Sequence, residues 1–223
     1  MLDTWRLPVQ EHRKCLASLF NLNAHVSRVE IDENIKFHII NSIKVASVFE
    51  RYRDLYVFHT IEGLNLRDDM QAYLSMRWYN KYLGKKKAIL LAHNIHVSKF
   101  QSNIVPSDHG SNYKWVNVRS TGENLRGSLG AEYRSISLTG FEVSSSRDGD
   151  YPILSKKDSL DYKLKTISDH YNLGDYLIVD PKKKWIKERK WWMHNESLPM
   201  YQNPAQQFDA IFYIRKSIAA IGY

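Results

Sequence analysis

The sequence predicts an α/β fold: three layers, α/β/α, around a mainly parallel sheet, with a long helical hairpin at the amino end. Three observations lead there. Between Pro8 and Gly63 the chain has no proline or glycine and carries apolar residues at threes and fours. Later runs such as AILLA (88–92) and YLIV (176–179) are too short for ordinary helices and do not alternate, as expected of strands covered on both faces. Helical stretches lie between these runs, and no internal repeat or low-complexity linker divides them. One domain over 1–223 follows, with the hairpin at 1–60 and the sheet with its covering helices at 61–223.

The elements follow in order. VQEHRKCLASLFNLNAHVSRV and ENIKFHIINSIKVASVFERYRDLYV give the two hairpin helices. NLRDDMQAYLSMRWYNKYLG spaces Leu66, Met70, Tyr73, Leu74 and Trp78 helically; Asp68 and Asp69 suit its first turn and Gly84 its end. Ala88 to Ala92 reads as a buried parallel strand. In TGENLRGSLGAEYRSISLTGFEV a glycine-bounded helix near 124–130 precedes an extended segment near 134–141. SSSRDGDYPILSKKDSLD is a polar loop, LDYKLKTISDHYNLGDYLIVD a helix, a glycine and a strand at 176–179, and FDAIFYIRK supplies a last strand at 210–214.

Composition narrows the classes. With 43% hydrophobic and 25% charged residues the chain can bury a sizeable core. No apolar run is long enough to span a membrane and Met1 opens no secretory signal, so a cytoplasmic protein with no membrane partner is expected. The single cysteine, Cys15, sits in helical text and reads as a packed thiol. A net charge of +8 would suit a polyanion. The lysine triplets at 85–87 and 182–184 read as solvated loop ends, yet WIKERKWW interleaves Trp185, Trp191 and Trp192 with bases and keeps a nucleic-acid-binding module as a disfavoured rival.

The chemistry-bearing stretch is AHNIH. His93 and His96 follow the apolar run, at the carboxyl end of the expected strand, where α/β sheets open a ligand crevice. Arg67 and Asp68, at the start of the third helix, can share that rim. An imidazole can move a proton near neutrality, and a guanidinium can stabilise an oxyanion. If 93–96 forms a helical turn, both rings could also hold one metal, with His109 or Asp108 as third ligand. The plain alternative makes His93 a hydrogen-bonding cap and His96 a surface residue.

LRDDMQAYLSMRWYNKYLGKKKAILLAHNIHVSK resembles the Arg-Asp helix, basic turn and AHNxH strand end of the erythromycin esterase family, which includes proteins labelled as succinoglycan biosynthesis proteins. GENLRGSLGAEYRSISLTGFEV is similar to that family's G-x-x-L-x-x-x-x-G-x-x-Y segment, and FDAIFYI to its closing strand. The resemblance implies an α/β/α hydrolase that opens an ester or macrolide lactone with an activated water and no cofactor or metal. It implies catalytic roles for His93, His96 and Arg67, and substrate contacts for Asn94 and Tyr133, each of which also has a plain structural reading. The G-E-x-x-H-G motif expected near the family's amino end is not matched: Gly122-Glu123 continues as Asn-Leu-Arg, and Asp108-His109-Gly110 lacks the glutamate. The chain therefore resembles the carboxyl-terminal half of the family. An oligomer or a complementing amino-terminal chain is expected as partner, besides the small ester or lactone. The water-activating role then falls to His93, or the chain is an inactive ligand-binding remnant.

Overall fold

The computed structural model describes residues 9–57, 60–84, 86–106, 117–143, 153–154, 157–195 and 198–217. The chain divides into two compact units, Met1–Tyr82 and Leu83–Tyr223, so the third helix belongs with the hairpin.

The first unit holds α1 (Val9–Arg28), α2 (Glu33–Val57) and α3 (Ile61–Trp78). Asp32 caps α2 by accepting from the backbone N–H groups of Asn34 and Ile35, which satisfies two of the donors a helix start leaves open. His12 of α1 meets Glu50 of α2 at 2.9 Å. Thr60 caps α3, its hydroxyl accepting from Gly63 N–H at 3.1 Å. The helix thus starts earlier than the sequence reading placed it. Glu62, not Asp68 or Asp69, occupies the first turn. Asp68 lies mid-helix and fully buried, where its carboxylate receives Nε and NH2 of Arg67 at 3.3 and 3.1 Å. Trp78 and Tyr82 pack edge-on against Phe37, as side chains of a helix-helix contact do. After a π-helical turn (Tyr79–Leu83), Gly84 at φ +55° ends the run, a conformation that a side chain would resist.

The second unit runs α4 (Asn94–Val97), β1 (Val105–Pro106), α5 (Thr121–Leu129), β2 (Ile136–Val143), β3 (Ile153–Leu154), α6 (Leu160–Tyr171), β4 (Tyr176–Val179), α7 (Lys184–Lys187), β5 (Trp191–Asn195), β6 (Leu198–Gln202), α8 (Pro204–Gln207) and β7 (Ala210–Ser217). The α/β class stands. Its main sheet has the order β3-β2-β7-β4 and is mixed, where the sequence suggested mainly parallel strands. The long central pair, β2 and β7, is parallel; β3 and β4 run antiparallel to their neighbours. For β3 the reason is chain length, since the residues between β2 and β3 are too few for a crossover.

One face of this sheet carries the core. Ile211 and Tyr213 of β7 meet Leu160 and Leu164 of α6, Ile186 of α7, and Trp191 and Met193 of β5. Thr139 of β2 donates its hydroxyl to the fully buried Asp161 of α6 at 2.5 Å, tying helix to sheet. The second sheet, β1-β6-β5, is antiparallel and was not anticipated. Its strand β5 takes up the last two tryptophans of WIKERKWW, while Trp185 lies exposed on α7: Trp191 is 3% exposed and its indole N–H donates to Ile186 O at 3.0 Å. That ring cannot serve as a stacking surface, which removes one of the three on which the nucleic-acid reading rested.

The largest correction concerns 88–92. No strand forms there: the run has no regular structure, and Ile89 and Leu91 are 89% and 88% exposed. An apolar run signals a need for burial, but a strand also requires a neighbouring edge to pair with, and this run pairs with none among the described residues. The polar loop reading of 144–150 and the Asp108-His109-Gly110 segment lie outside the described residues.

Candidate active site

His93 and His96 belong to one short helical turn, α4, instead of a strand end. His93 is its cap: Nδ1 accepts from Ile95 N–H at 3.4 Å, and the His93 carbonyl accepts from His96 N–H at 2.8 Å and Val97 N–H at 3.3 Å. The two rings lie with centroids 6.4 Å apart and planes at 70°. With Nδ1 acting as acceptor, a neutral His93 carries its proton on Nε2, an atom that is itself buried.

The backbone around these rings is fixed from four directions. Asn94, buried, donates to Leu138 O at 2.7 Å and accepts from Leu138 N–H at 3.0 Å, so its amide acts as a short strand on the edge of β2. The Val97 carbonyl accepts from the Tyr133 phenol at 2.8 Å and the Ser135 hydroxyl at 2.5 Å. The Ser98 carbonyl accepts from the Ser120 hydroxyl at 2.5 Å. Lys99 donates its N–H to Gln207 O and its ammonium to Asp209 Oδ1 at 3.0 Å, while the Gln207 amide exchanges two hydrogen bonds with the Phe100 backbone.

Gly122 explains how α5 comes so close. A Cβ there would lie 2.5 Å from Val97 O, 2.6 Å from Ser98 O and 2.6 Å from the Tyr133 hydroxyl. Only a residue without a side chain fits. Ser120 and Glu123 flank it as a capping pair, with Ser120 Oγ accepting from Glu123 N–H at 2.9 Å. Asp209 closes the frame by accepting from Ser135 N–H at 2.9 Å.

Electrostatics follow from burial and partners. Burial pushes the Tyr133 phenol up to about 12, so it stays a neutral donor to Val97. Burial also raises the Glu123 carboxyl, against the opposing pull of the Gln101 backbone and Arg119. For Asp209 burial acts upward too, but the Ser135 N–H and the Lys99 ammonium together outweigh it and hold the carboxyl below its usual value.

Of the residues singled out in the sequence, His93, His96, Asn94 and Tyr133 come together in the second unit. The polar groups of Asn94 and Tyr133 are spent on internal backbone bonds, so these two side chains build the turn. Arg67 lies in the first unit, a third of its side chain exposed, bonded to Asp68 and 6.0 Å from the Tyr52 ring centroid. Residues 93–96 do form the helical turn that a metal pair would need, but among the described residues no group of three or more His, Cys, Asp or Glu could hold an ion; His109 and Asp108 fall outside them. Ser120, Gly122, Ser135, Gln207 and Asp209 went unnoticed as site builders. Gly122, Ser135 and Asp209 lay in the segments that carry the resemblance, GENLRGSLGAEYRSISLTGFEV and FDAIFYI, and the Ser-x-x-Glu spacing at 120–123 was a local signal for Ser120; Gln207 had none.

The comparisons with known proteins agree with this frame. The chain is similar to a crystal structure of a succinoglycan biosynthesis protein, with a TM-score of 0.69 and 18% identity; the match covers 97% of this chain and 52% of that one. The chain thus spans about half the length of that neighbour, and at this identity the likeness speaks for the fold. No curated protein matches it. No described helix is long and apolar enough to cross a membrane. The model of the erythromycin esterase family matches residues 5–217, nearly the whole length, and the chain belongs to that family.

Proposed function

We propose that the chain acts as a hydrolase of the erythromycin esterase type, delivering water to the carbonyl of an ester or macrolide lactone from the turn that carries His93 and His96. The observation that carries this reading is the clamp. The segments that bear the family resemblance, AHNIHVSK, GENLRGSLGAEY and FDA, meet at residues 93–99: the Tyr133 phenol bonds the Val97 carbonyl and Asp209 pairs with the Lys99 ammonium. A pair of catalytic side chains needs such support, because it works only when held in a set geometry.

The cap supports a division of roles. In this reading the Nε2–H of His93 donates a hydrogen bond to the carbonyl oxygen as negative charge builds there. His96 accepts the proton of the attacking water and returns it to the leaving alkoxide. This exchanges the role the sequence first suggested for His93. Arg67, in the first unit, remains a catalytic candidate on the strength of the resemblance alone.

The test is hydrolysis of a p-nitrophenyl ester and of a macrolide lactone by wild type, His96→Ala and His93→Asn. Asparagine keeps a cap acceptor, so it separates chemistry from folding. Loss of a general base lowers the rate by about a hundredfold or more, and both variants should fall that far while their melting temperatures hold. A wild-type rate equal to that of both variants would remove the hydrolase reading in favour of an inactive ligand-binding relative.

A further inference from the structure

The first unit carries an open cleft of about 510 Å³ between α2 and α3, which the proposed hydrolysis does not use. From α2 come Asn41, Val45, Ala46 and Phe49, at the spacing that puts side chains on one helix face, and from α3 come Leu74 and Trp78, one turn apart. Val45, Phe49 and Trp78 are 42–51% exposed, so the apolar walls are open to solvent. Among the described residues no Lys, Arg, Asp or Glu lines it.

Asn41 is out of place in such a wall. It is 4% exposed, and neither the nitrogen nor the oxygen of its amide has a hydrogen-bond partner among the described residues. Burying both atoms unpaired costs stability, and asparagine is a poor residue for a helix interior, so neither packing nor local structure accounts for it. The other polar lining groups differ. The His38 ring meets the Tyr82 hydroxyl at 2.9 Å, and Ser42 is exposed. Two other side-chain amides of this chain show what satisfies such a group: Asn94 and Gln207 each donate to one C=O and accept from one N–H, of Leu138 and of Phe100.

We propose that this cleft binds a small uncharged molecule that carries a primary carboxamide or lactam edge on an aromatic or branched apolar body. The carboxamide oxygen accepts from Asn41 Nδ2–H and its N–H donates to Asn41 Oδ1, while the body lies against Val45, Phe49, Leu74 and Trp78. The amide torsion of asparagine is soft, so both atoms can turn to the occupant as it enters. Apolar walls with one orienting polar group, at this volume, are the make-up of small-ligand sites. A carboxylate fits worse: it accepts from Nδ2 but leaves Oδ1 unpaired, and no cation lines the cleft among the described residues to offset its desolvation. The proposal is independent of whether His93 and His96 perform hydrolysis.

The probe is naphthalene-2-carboxamide, with naphthalene-2-carboxylate as its anionic counterpart, titrated into the full chain by calorimetry. Saturable one-to-one binding of the carboxamide, weaker binding of the carboxylate, and a loss of about tenfold in Asn41→Leu, as two hydrogen bonds are worth, support the proposal. Leucine nearly keeps the volume and removes the unpaired atoms, so the urea midpoint of Asn41→Leu should equal or exceed that of wild type. A variant that loses stability together with binding makes Asn41 a structural residue and overturns the proposal. Ser42→Trp, at an exposed position of the lining, should fill the cleft and abolish binding with circular dichroism unchanged. Absence of saturable binding, equal affinity in Asn41→Leu, or equal affinity for the carboxylate overturns the proposal. Self-association of the chain that Ser42→Trp releases assigns the cleft to a second copy and overturns it as well.

Discussion

Replacing Gly122 by alanine adds one methyl group at the point where α5 meets the histidine turn. Two of the three atoms it would meet are backbone carbonyls at 2.5 and 2.6 Å, which cannot swing aside, and the third is the Tyr133 hydroxyl. Overpacking of this kind costs about 1–3 kcal/mol, and displacing the phenol from Val97 O forfeits about 1 kcal/mol more. Alanine returns up to about 1 kcal/mol of helix propensity in a helix interior, and less in the first turn. The net is a loss of about 2 kcal/mol, or about 4–8 °C in melting temperature for a chain of this size. Gly127 is the control. It lies in the same helix, exposed, with nothing within 4 Å of a Cβ, so alanine there should stabilise by about 0.5–1 kcal/mol. Thermal denaturation by circular dichroism measures both. Opposite signs are expected; equal shifts for the two variants would refute the argument that α5 is wedged against residues 97–98.

Further outcomes follow from the same frame. Asp209 has a folded-state pKa below its unfolded value of about 3.9, so its contribution is complete above that pH and is lost as pH falls through the folded value. In urea titrations wild type should exceed Asp209→Asn by a constant margin from pH 5 to 8 and converge with it in acid. Glu123 has the opposite sign: its folded pKa is raised, so its contribution is present below the unfolded value of about 4.3 and disappears as pH rises through the folded one. Glu123→Gln should therefore gain stability relative to wild type toward neutral pH, and a growing deficit there would contradict the burial argument. Asn94→Ala leaves the Leu138 N–H and C=O without protein partners and should cost about 1–3 kcal/mol in chemical denaturation. Long-range proton–nitrogen spectra of the imidazoles should show His93 protonated on Nε2 at pH 8; a proton on Nδ1 would undo the cap and the role drawn from it.

Much of the fold was written locally. The hairpin helices follow from apolar spacing in a stretch free of proline and glycine, and α5, α6, β4 and β7 from apolar runs set off by turn residues, because helix periodicity and strand length are properties of neighbours in sequence. The failures had non-local causes. The 88–92 run has the composition of a buried strand, but it pairs with no edge among the described residues. The β5–β6 hairpin was hidden because Trp191, Met193 and their bases read as a charged aromatic patch; only the packing of α7 and β7 against them shows that the tryptophan is core. The site divides in the same way. His93 and His96 as catalytic candidates, and Asn94 and Tyr133 as substrate contacts, were singled out from the AHNIH and GAEY stretches; the structure shows the polar groups of Asn94 and Tyr133 bonded to backbone. Lys99–Asp209 and Phe100–Gln207 join residues more than a hundred positions apart, and no window along the chain displays such pairs.

The most direct measurement is the pH-controlled rate of ester hydrolysis by wild type beside His96→Ala, with the fold of each monitored by circular dichroism. A fall of about a hundredfold or more at unchanged melting temperature is expected if His96 is the general base. Full activity in a folded His96→Ala protein would contradict it.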